Sequence, residues 1–215
     1  MSSKTKIQGV NEILRRIGKL PVNALDTDGT STHAHVERFL DETDDEIQRE
    51  GWHWNTVREV EATADGTGKI RVTGLTTDLS GSVQKTYHAD TDGSDSDTDV
   101  SMIGEYLFDV KNNSFTTFSG TLKLVVTCQR PFTEVPNSFQ NWIISQAALE
   151  YLMAYGNPSG DPQDKARQSM LMQLVGEHRR QAYADEFRSS DINVLDQENM
   201  RQIRGRRRMT NRSVY

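Results

Sequence analysis

Cysteine is nearly absent from this sequence, since Cys128 is the single one in 215 residues. One thiol cannot build a disulfide framework or a thiolate zinc site within the chain. No apolar run approaches the ~18 residues that suggest a membrane span, and the polar residues 1–6 lack the apolar segment of a secretory signal. These absences fit synthesis and assembly in a bacterial cytoplasm, away from a membrane.

Catalytic motifs are also missing. The sequence contains no G-x-S-x-G, P-loop, H-E-x-x-H or G-x-G-x-x-G pattern, and its five histidines form no ligand set. Cys128 lies in an apolar segment, 124–128, which favours a packed side chain over a nucleophile. We therefore predict a protein that is not an enzyme, with no catalytic residues, no cofactor and no metal.

An aspartate-rich run at 90–99 is the one feature that could suggest otherwise. Alternate oxygen ligands suit Ca²⁺, but the run lacks the glycine and the twelfth-position glutamate of an EF-hand loop. A solvated hairpin loop is the favoured interpretation. A metal-assisted enzyme using this loop stays as a minor alternative.

Two amphipathic helices are predicted before residue 51. The first covers about residues 5–18, with Gly18 at its end, and the second about 30–50, with Thr30, Ser31 or Thr32 as N-cap. The apolar positions of the second helix are Val36, Phe39, Leu40 and Ile47. Its opposite, solvated face is predicted to carry Glu37, Asp41, Glu42, Asp44, Asp45 and Glu46.

The spacing of apolar residues changes from about every fourth to every second position after Gly51, and this alternation predicts strands. The candidate strands are 52–57, 69–73, 83–88, 100–110, 115–118 and 121–129. Asn112 and Asn113 suit a hairpin turn. We expect an inserted antiparallel β-sandwich or barrel over residues 52–134.

Helical spacing returns at Pro136, and two more helices are predicted. One ends at Gly156; the next begins with Asp161 as N-cap and Pro162 at its first position, and reaches about residue 188. The core candidates of this last helix include Ala166, Met170, Leu174 and Phe187. The predicted fold class is α+β: a bundle of four amphipathic helices from 1–51 and 135–190, the inserted β lobe, and an extended tail, 191–215.

Charge is distributed unevenly along the chain. The segment from Arg201 to Tyr215 contains six arginines and no acids, whereas the whole chain carries −6, so the first 200 residues carry −12. A basic tail on an acidic body indicates a tail that seeks an anionic partner, either nucleic acid or an acidic protein groove.

Three stretches resemble one family, the head-to-tail adaptor (tail tubular protein A) of short-tailed podovirus bacteriophages. They are V-N-E-I-L-R-R-I-G at 10–18 followed by Pro-Val, I-Q-R-E-G-W at 47–52, and V-P-N-S-F-Q-N-W-I at 135–143. Their order and spacing are more specific than any one of them. The β insertion and the tail carry no such likeness.

The resemblance implies a structural virion protein of the tail or neck. Such adaptors form rings, typically of about twelve copies, between the portal and the tail nozzle, with the β domain toward the nozzle. DNA leaves through the central channel without specific binding, and tail fibres often attach near the adaptor–nozzle junction. The acidic body is compatible with a channel along which DNA slides, or with simple solubility before assembly.

By the same resemblance the C-terminal segment clasps the portal. The predicted portal-binding residues are Arg201, Arg204, Arg206, Arg207, Arg208, Arg212 and Tyr215. Trp52, Trp54 and Trp142 are predicted to anchor the junction between the helices and the β lobe. The alternative function is a DNA-binding module that acts through the basic tail.

Overall fold

The structure, a computed structural model, describes most of the chain up to residue 189. The described residues are 3–25, 31–72, 75, 82–91, 98–156 and 160–189, of which 59, 82–91, 98 and 99 are described by their backbone. No helix among them is long and apolar enough to cross a membrane.

The first two helices have the predicted places and caps. Helix α1 spans Lys6–Arg16 and begins at a capping box, in which Thr5 and Gln8 bond each other's backbone N–H. Helix α2 spans Thr32–Arg49, with Ser31 as N-cap. Gly18 closes α1 at φ +76°, a conformation that suits glycine.

The last two helices also confirm the prediction. Helix α3 spans Asn137–Tyr155 and helix α4 spans Pro162–Ser189. Helices α1, α2 and α4 all pack against α3, so α3 is buried around much of its circumference. It is therefore apolar on nearly every side, unlike the one-sided helix that was expected.

The segment between α2 and α3 forms antiparallel strands. They are β1 (Thr56–Thr63), β2 (Ser82–Thr91), β3 (Thr98–Ile103), β4 (Tyr106–Asp109) and β5 (Thr121–Gln129). The strand order is β1-β5-β2-β3-β4. Because β1 and β4 lie at opposite ends of this order, the described strands do not close into a barrel. The α+β class is confirmed, and the barrel form is not.

Several strand predictions need correction. The single strand predicted over 100–110 is a hairpin, β3 and β4, which reverses at Gly104 with φ +63°. The segment around Arg71 forms an isolated bridge to Tyr106 and covers the edge of β4. No strand forms at 115–118, because Phe118 packs into the lobe core beside the sheet instead.

The strand predicted over 52–57 is also partly wrong. Residues His53–Asn55 form a 3-10 turn, and β1 begins only at Thr56. The alternation of tryptophan with polar residues imitates a strand, but side-chain hydrogen bonds of Asn55 hold the backbone in a turn.

Two hydrophobic cores lie on either side of this turn. The helical core is centred on α3, and the lobe core is built from β1, β5 and the segments that cover them. Lobe-core residues include Val60, Ala62, Ile70, Val72, Leu107, Phe118, Leu124, Val126 and Cys128. The buried position of Cys128 confirms the prediction that this thiol is packed.

The predicted core face of α4 is wrong for Ala166, Met170 and Phe187 and confirmed for Leu174. Leu171 and Ala182 are its fully buried residues, whereas Met170 and Phe187 are 47% and 66% exposed. Ala166 is exposed, and Leu174 is partly buried. Since α4 packs against α3 along one side, its other apolar residues, such as Met170, Met172 and Phe187, stay outside that contact.

Candidate functional site

The junction between the helical core and the lobe begins at Gly51 and Trp52. Gly51 turns the chain at φ +86°. Trp52 is buried, its Nε1–H donates to the Ile47 carbonyl at 2.6 Å, and its ring lies edge-on to Phe139 and Tyr183 at 4.8 and 5.2 Å. This one side chain therefore touches α2, α3 and α4.

The other two tryptophans lie beside the same phenylalanine. Trp142 is buried with its ring centre 6.2 Å from that of Phe139. Trp54 is partly buried at 5.3 Å from Phe139, and its carbonyl accepts from Arg130 Nη1. Its Nε1 is buried without a hydrogen-bond partner among the described residues. The structure thus gathers all three, while their anchoring role stays a prediction.

A buried polar clamp joins α2 to the end of β5, and we call it the junction clamp. Gln48, which is fully buried, donates from Nε2 to the Arg130 carbonyl at 2.9 Å and accepts from the Arg130 N–H at 2.8 Å. Asn55 donates to the Gln48 carbonyl at 2.8 Å and accepts from the Trp52 N–H at 2.7 Å. Two amides therefore satisfy four backbone groups at the point where helix, turn and strand meet.

Asp44 extends the junction clamp by one contact. It accepts from Gln48 Nε2 at 2.8 Å and is 6% exposed, so it does not belong to the solvated face predicted for α2. Burial raises the pKa of Asp44 to about 7, assisted by Asp41 and Asp45 and opposed by the bond from Gln48. The inward face of α2 is widened here because the helix packs against β5 as well as α3.

A serine–histidine pair lies between α3 and α4, but it is not placed for nucleophilic chemistry. Ser145 Oγ is 3.0 Å from His178 Nδ1, and Ser145 is fully buried with bonds to the Asn141 and Trp142 carbonyls. A hydroxyl that is sealed into a helix contact cannot meet a substrate. Burial, together with the nearby Arg16, lowers the pKa of His178.

Metal ligands do not converge within the part of the chain that the structure describes. No group of three or more His, Cys, Asp or Glu side chains there could hold an ion. The aspartate-rich run is a separate matter, because 92–97 lie outside the described residues and 90, 91, 98 and 99 are described by their backbone. The Ca²⁺ alternative for that loop is untested.

A groove runs between α2 and α4 over the surface of α3, and we call it the α2–α4 groove. It is lined by Thr43, Glu46, Ile47, Glu50, Trp142, Gln146, Val175 and Arg179. The guanidinium of Arg179 lies over the rings of Trp142 and Tyr183, at 5.7 and 5.5 Å from their centres. No pattern in the sequence indicated this groove, since its walls come from three separate helices.

The predicted portal-binding residues all fall beyond residue 189. Arg201, Arg204, Arg206, Arg207, Arg208, Arg212 and Tyr215 lie outside the described residues. Their role is therefore still a prediction from the sequence.

The described chain is a mixed helix-and-sheet protein. Its most distinctive polar side chains lie at the junction between the helices and the lobe and along the surface groove. A family model described as tail tubular protein matches residues 7–211. The chain belongs to the tail tubular protein family. It is thus a structural component of a phage tail, and that family is structural rather than catalytic. No curated protein matches the chain in a sequence comparison.

Proposed function

We propose that this protein is a ring-forming head-to-tail adaptor, which joins the portal to the tail nozzle around the DNA channel. The observation that carries the proposal is the extent of the family match, 7–211. It takes in the helices, the β lobe and the tail as far as residue 211. Membership of the tail tubular protein family, together with helix motifs that resemble those of head-to-tail adaptors, supports a position where head and tail meet.

The tail supplies the contact with the portal in this proposal. Five of its six arginines, from Arg201 to Arg208, fall inside the family match, and Arg212 falls just outside. Guanidinium groups bind carboxylates in a bidentate manner and suit interface ion pairs. Repetition of the tail around a ring would strengthen a modest single contact through avidity.

Native mass spectrometry of the full chain, with and without intact portal rings, tests the adaptor role. We expect portal-dependent uptake of about twelve copies, one set per ring. A protein that stays monomeric and ignores intact portal would overturn the proposal.

A second experiment tests the assignment of the tail. A chain that lacks 201–215 retains every described helix and strand, and we expect it to fold but to lose portal attachment. Its far-ultraviolet circular dichroism should match that of the full chain. Normal attachment by this folded variant would remove the tail from the portal interface.

The charge of the tail favours one alternative, a DNA-binding module. This function predicts retention on duplex DNA that weakens steeply with salt, because arginine–phosphate contacts release counterions. Replacing Arg206, Arg207 and Arg208 with alanine should then flatten the salt dependence. A shallow salt slope for the unaltered protein, or equal binding by the variant, would exclude the alternative.

A further inference from the structure

A pocket lies where the end of α4 meets the 3-10 turn and the start of α3, and we call it the α4-end pocket. Its walls are mostly apolar and include Trp54, Pro136 and Phe139. Its volume is about 280 Å³, just below the ~300 Å³ at which typical small-molecule sites begin. A pocket of this size and character suits one or two apolar side chains.

Two side chains that line the pocket each have a buried polar atom without a hydrogen-bond partner among the described residues. These atoms are Nε1 of Trp54, a donor, and Oε2 of Glu186, an acceptor. The other carboxylate oxygen of Glu186 accepts from the His53 N–H. Because buried polar groups in folded proteins are nearly always paired, the two atoms point to an occupant. A peptide backbone matches them, since it supplies both a carbonyl and an N–H.

The chain itself leaves α4 at the wall of this pocket. Ser189, the last residue of α4, is one of the lining residues. Beyond it, the apolar residues of the tail are densest at Ile192, Val194 and Leu195. Ile192 is the third residue after Ser189, within about 10 Å of extended chain. In an extended segment Ile192 and Val194 point to the same side, and the polar residues beside them point to the other.

We propose that residues 190–195 turn back from the end of α4 and dock in the α4-end pocket of their own subunit. Ile192 packs against Trp54 and Phe139, and the backbone of the segment provides partners for Trp54 Nε1 and Glu186 Oε2. The connection to α4 is short, so little loop entropy opposes the docking. The basic segment from Arg201 onward then starts from a fixed point beside the 3-10 turn. The inference concerns the attachment of the tail within one subunit and goes beyond the portal-joining role.

Hydrogen–deuterium exchange of the full chain tests the docking directly. We expect the protection factors of the backbone amides of residues 193–195 to be about tenfold higher in the unaltered protein than in Ile192→Asp, because exchange follows the population of the undocked segment. The introduced carboxylate would have to enter an apolar pocket beside Glu186, which is unfavourable. Equal protection in the two proteins would overturn the proposal.

A matched control separates the pocket from a general effect of charge on the tail. Ile203→Asp makes the same change of side chain at another apolar position of the tail, beyond the proposed docking segment. We expect residues 193–195 of this control to stay protected. An equal loss of protection in Ile192→Asp and Ile203→Asp would contradict docking of the named segment.

The indole N–H of Trp54 gives an independent readout on the side of the pocket. The three tryptophans give three indole signals in a proton–nitrogen correlation spectrum, and Trp54→Phe identifies the one from Trp54. We expect Ile192→Asp to move this signal and to leave those of Trp52 and Trp142 in place, whereas Ile203→Asp should move none. A Trp54 signal that is the same in all these proteins would also overturn the proposal.

Dilution identifies the subunit that supplies the segment. Protection of residues 193–195 that persists over about a hundredfold dilution supports docking within one chain. Protection that disappears on dilution would overturn this proposal in favour of a segment from a second copy. These measurements contain no portal, so their failure is distinct from a failure of the adaptor role.

Discussion

Two buried aspartates, one in each core region, have opposite ionisation behaviour. Asp44 in α2 is 6% exposed and Asp109 at the end of β4 is 3% exposed. The pKa of Asp44 is raised to about 7, whereas that of Asp109 is lowered. Both carboxyls are covered from solvent, but Asp44 lies deeper in the protein than Asp109, so the opposite shifts reflect both the depth of burial and the contacts.

The carboxylates of Asp44 and Asp109 differ in the number of hydrogen bonds that they accept. Burial acts to raise the pKa of Asp109, but its carboxylate accepts from Asn112 N and Nδ2 at 2.9 and 2.7 Å and from Thr117 Oγ1 at 2.8 Å. These bonds favour the charged form and outweigh burial. Asp44 has the single bond from Gln48, with Asp41 and Asp45 nearby. The carboxylate with several converging donors, that of Asp109, is the one whose pKa is lowered.

The largest effect is expected from Gln48→Ala, which removes the Gln48 half of the junction clamp and the donor to Asp44. It leaves the half-buried N–H and carbonyl of Arg130 without their side-chain partner. We expect the free energy of unfolding to fall by about 3 kcal/mol, measured by urea denaturation at pH 7. Gln163→Ala, at an exposed position of α4, is the control and should change little. A loss equal to that of the control would show that the clamp does not stabilise the fold.

Asp44→Asn should give a pH-dependent gain. Because the folded pKa is raised, the carboxyl contributes stability that is fully present below its unfolded pKa and is lost as pH rises through about 7. We expect the unaltered protein to lose on the order of 2 kcal/mol between pH 5 and 8 relative to the variant. Denaturation curves at both pH values measure it. Parallel curves for the two proteins would contradict the raised pKa.

Asp109→Asn should have the opposite dependence on pH. The folded pKa of Asp109 is lowered, so its stabilisation is present above the unfolded pKa and is lost as pH falls. At pH 7 the variant should be less stable by about 1.5 kcal/mol, because an amide places donors against the donors of Asn112 and Thr117. The difference should shrink toward pH 3. A difference that grows on acidification would be inconsistent with the three-donor site.

The smallest effect is expected at His178. Its folded pKa is lowered, so the neutral ring contributes stability above the unfolded pKa that is lost as pH falls below it. From pH 7.5 to 5.5 the unaltered protein should lose less than about 1 kcal/mol relative to His178→Gln, since solvent screens the partly exposed ring. Thermal unfolding at both pH values measures this loss. A gain on acidification would reverse the assigned shift.

Local signals in the sequence predicted the helices well. Ser31, Gly18 and Pro162 mark boundaries through their own backbone and capping preferences, which do not depend on the rest of the fold. The family resemblance was likewise carried by helix ends, and the family match confirms its coarser part, a tail tubular protein. The strand of residues 121–129 was also predictable, because an apolar β-branched run needs no partner to be recognised.

Contacts between distant segments account for what the sequence did not predict. Gln48 and Asp44 look like members of a polar helix face until Arg130, the residue after β5, is brought against Gln48 and Gln48 in turn donates to Asp44. The exposure of Met170 and Phe187 depends on how few helices α4 meets, which its own periodicity does not encode. The α2–α4 groove needs three helices to exist. The composition of the tail predicts a basic segment that binds an anionic partner, but the sequence does not identify that partner.

The junction clamp provides a path by which mechanical load on the lobe would pass into the helices. Gln48 bonds both the N–H and the carbonyl of Arg130, so a pull on β5 is shared by two hydrogen bonds that resist it together. The side chain of a helical residue thereby continues the hydrogen-bonding pattern of the strand. A torque applied to the lobe would therefore reach α2 through these two bonds as well as through the 3-10 turn that joins α2 to β1.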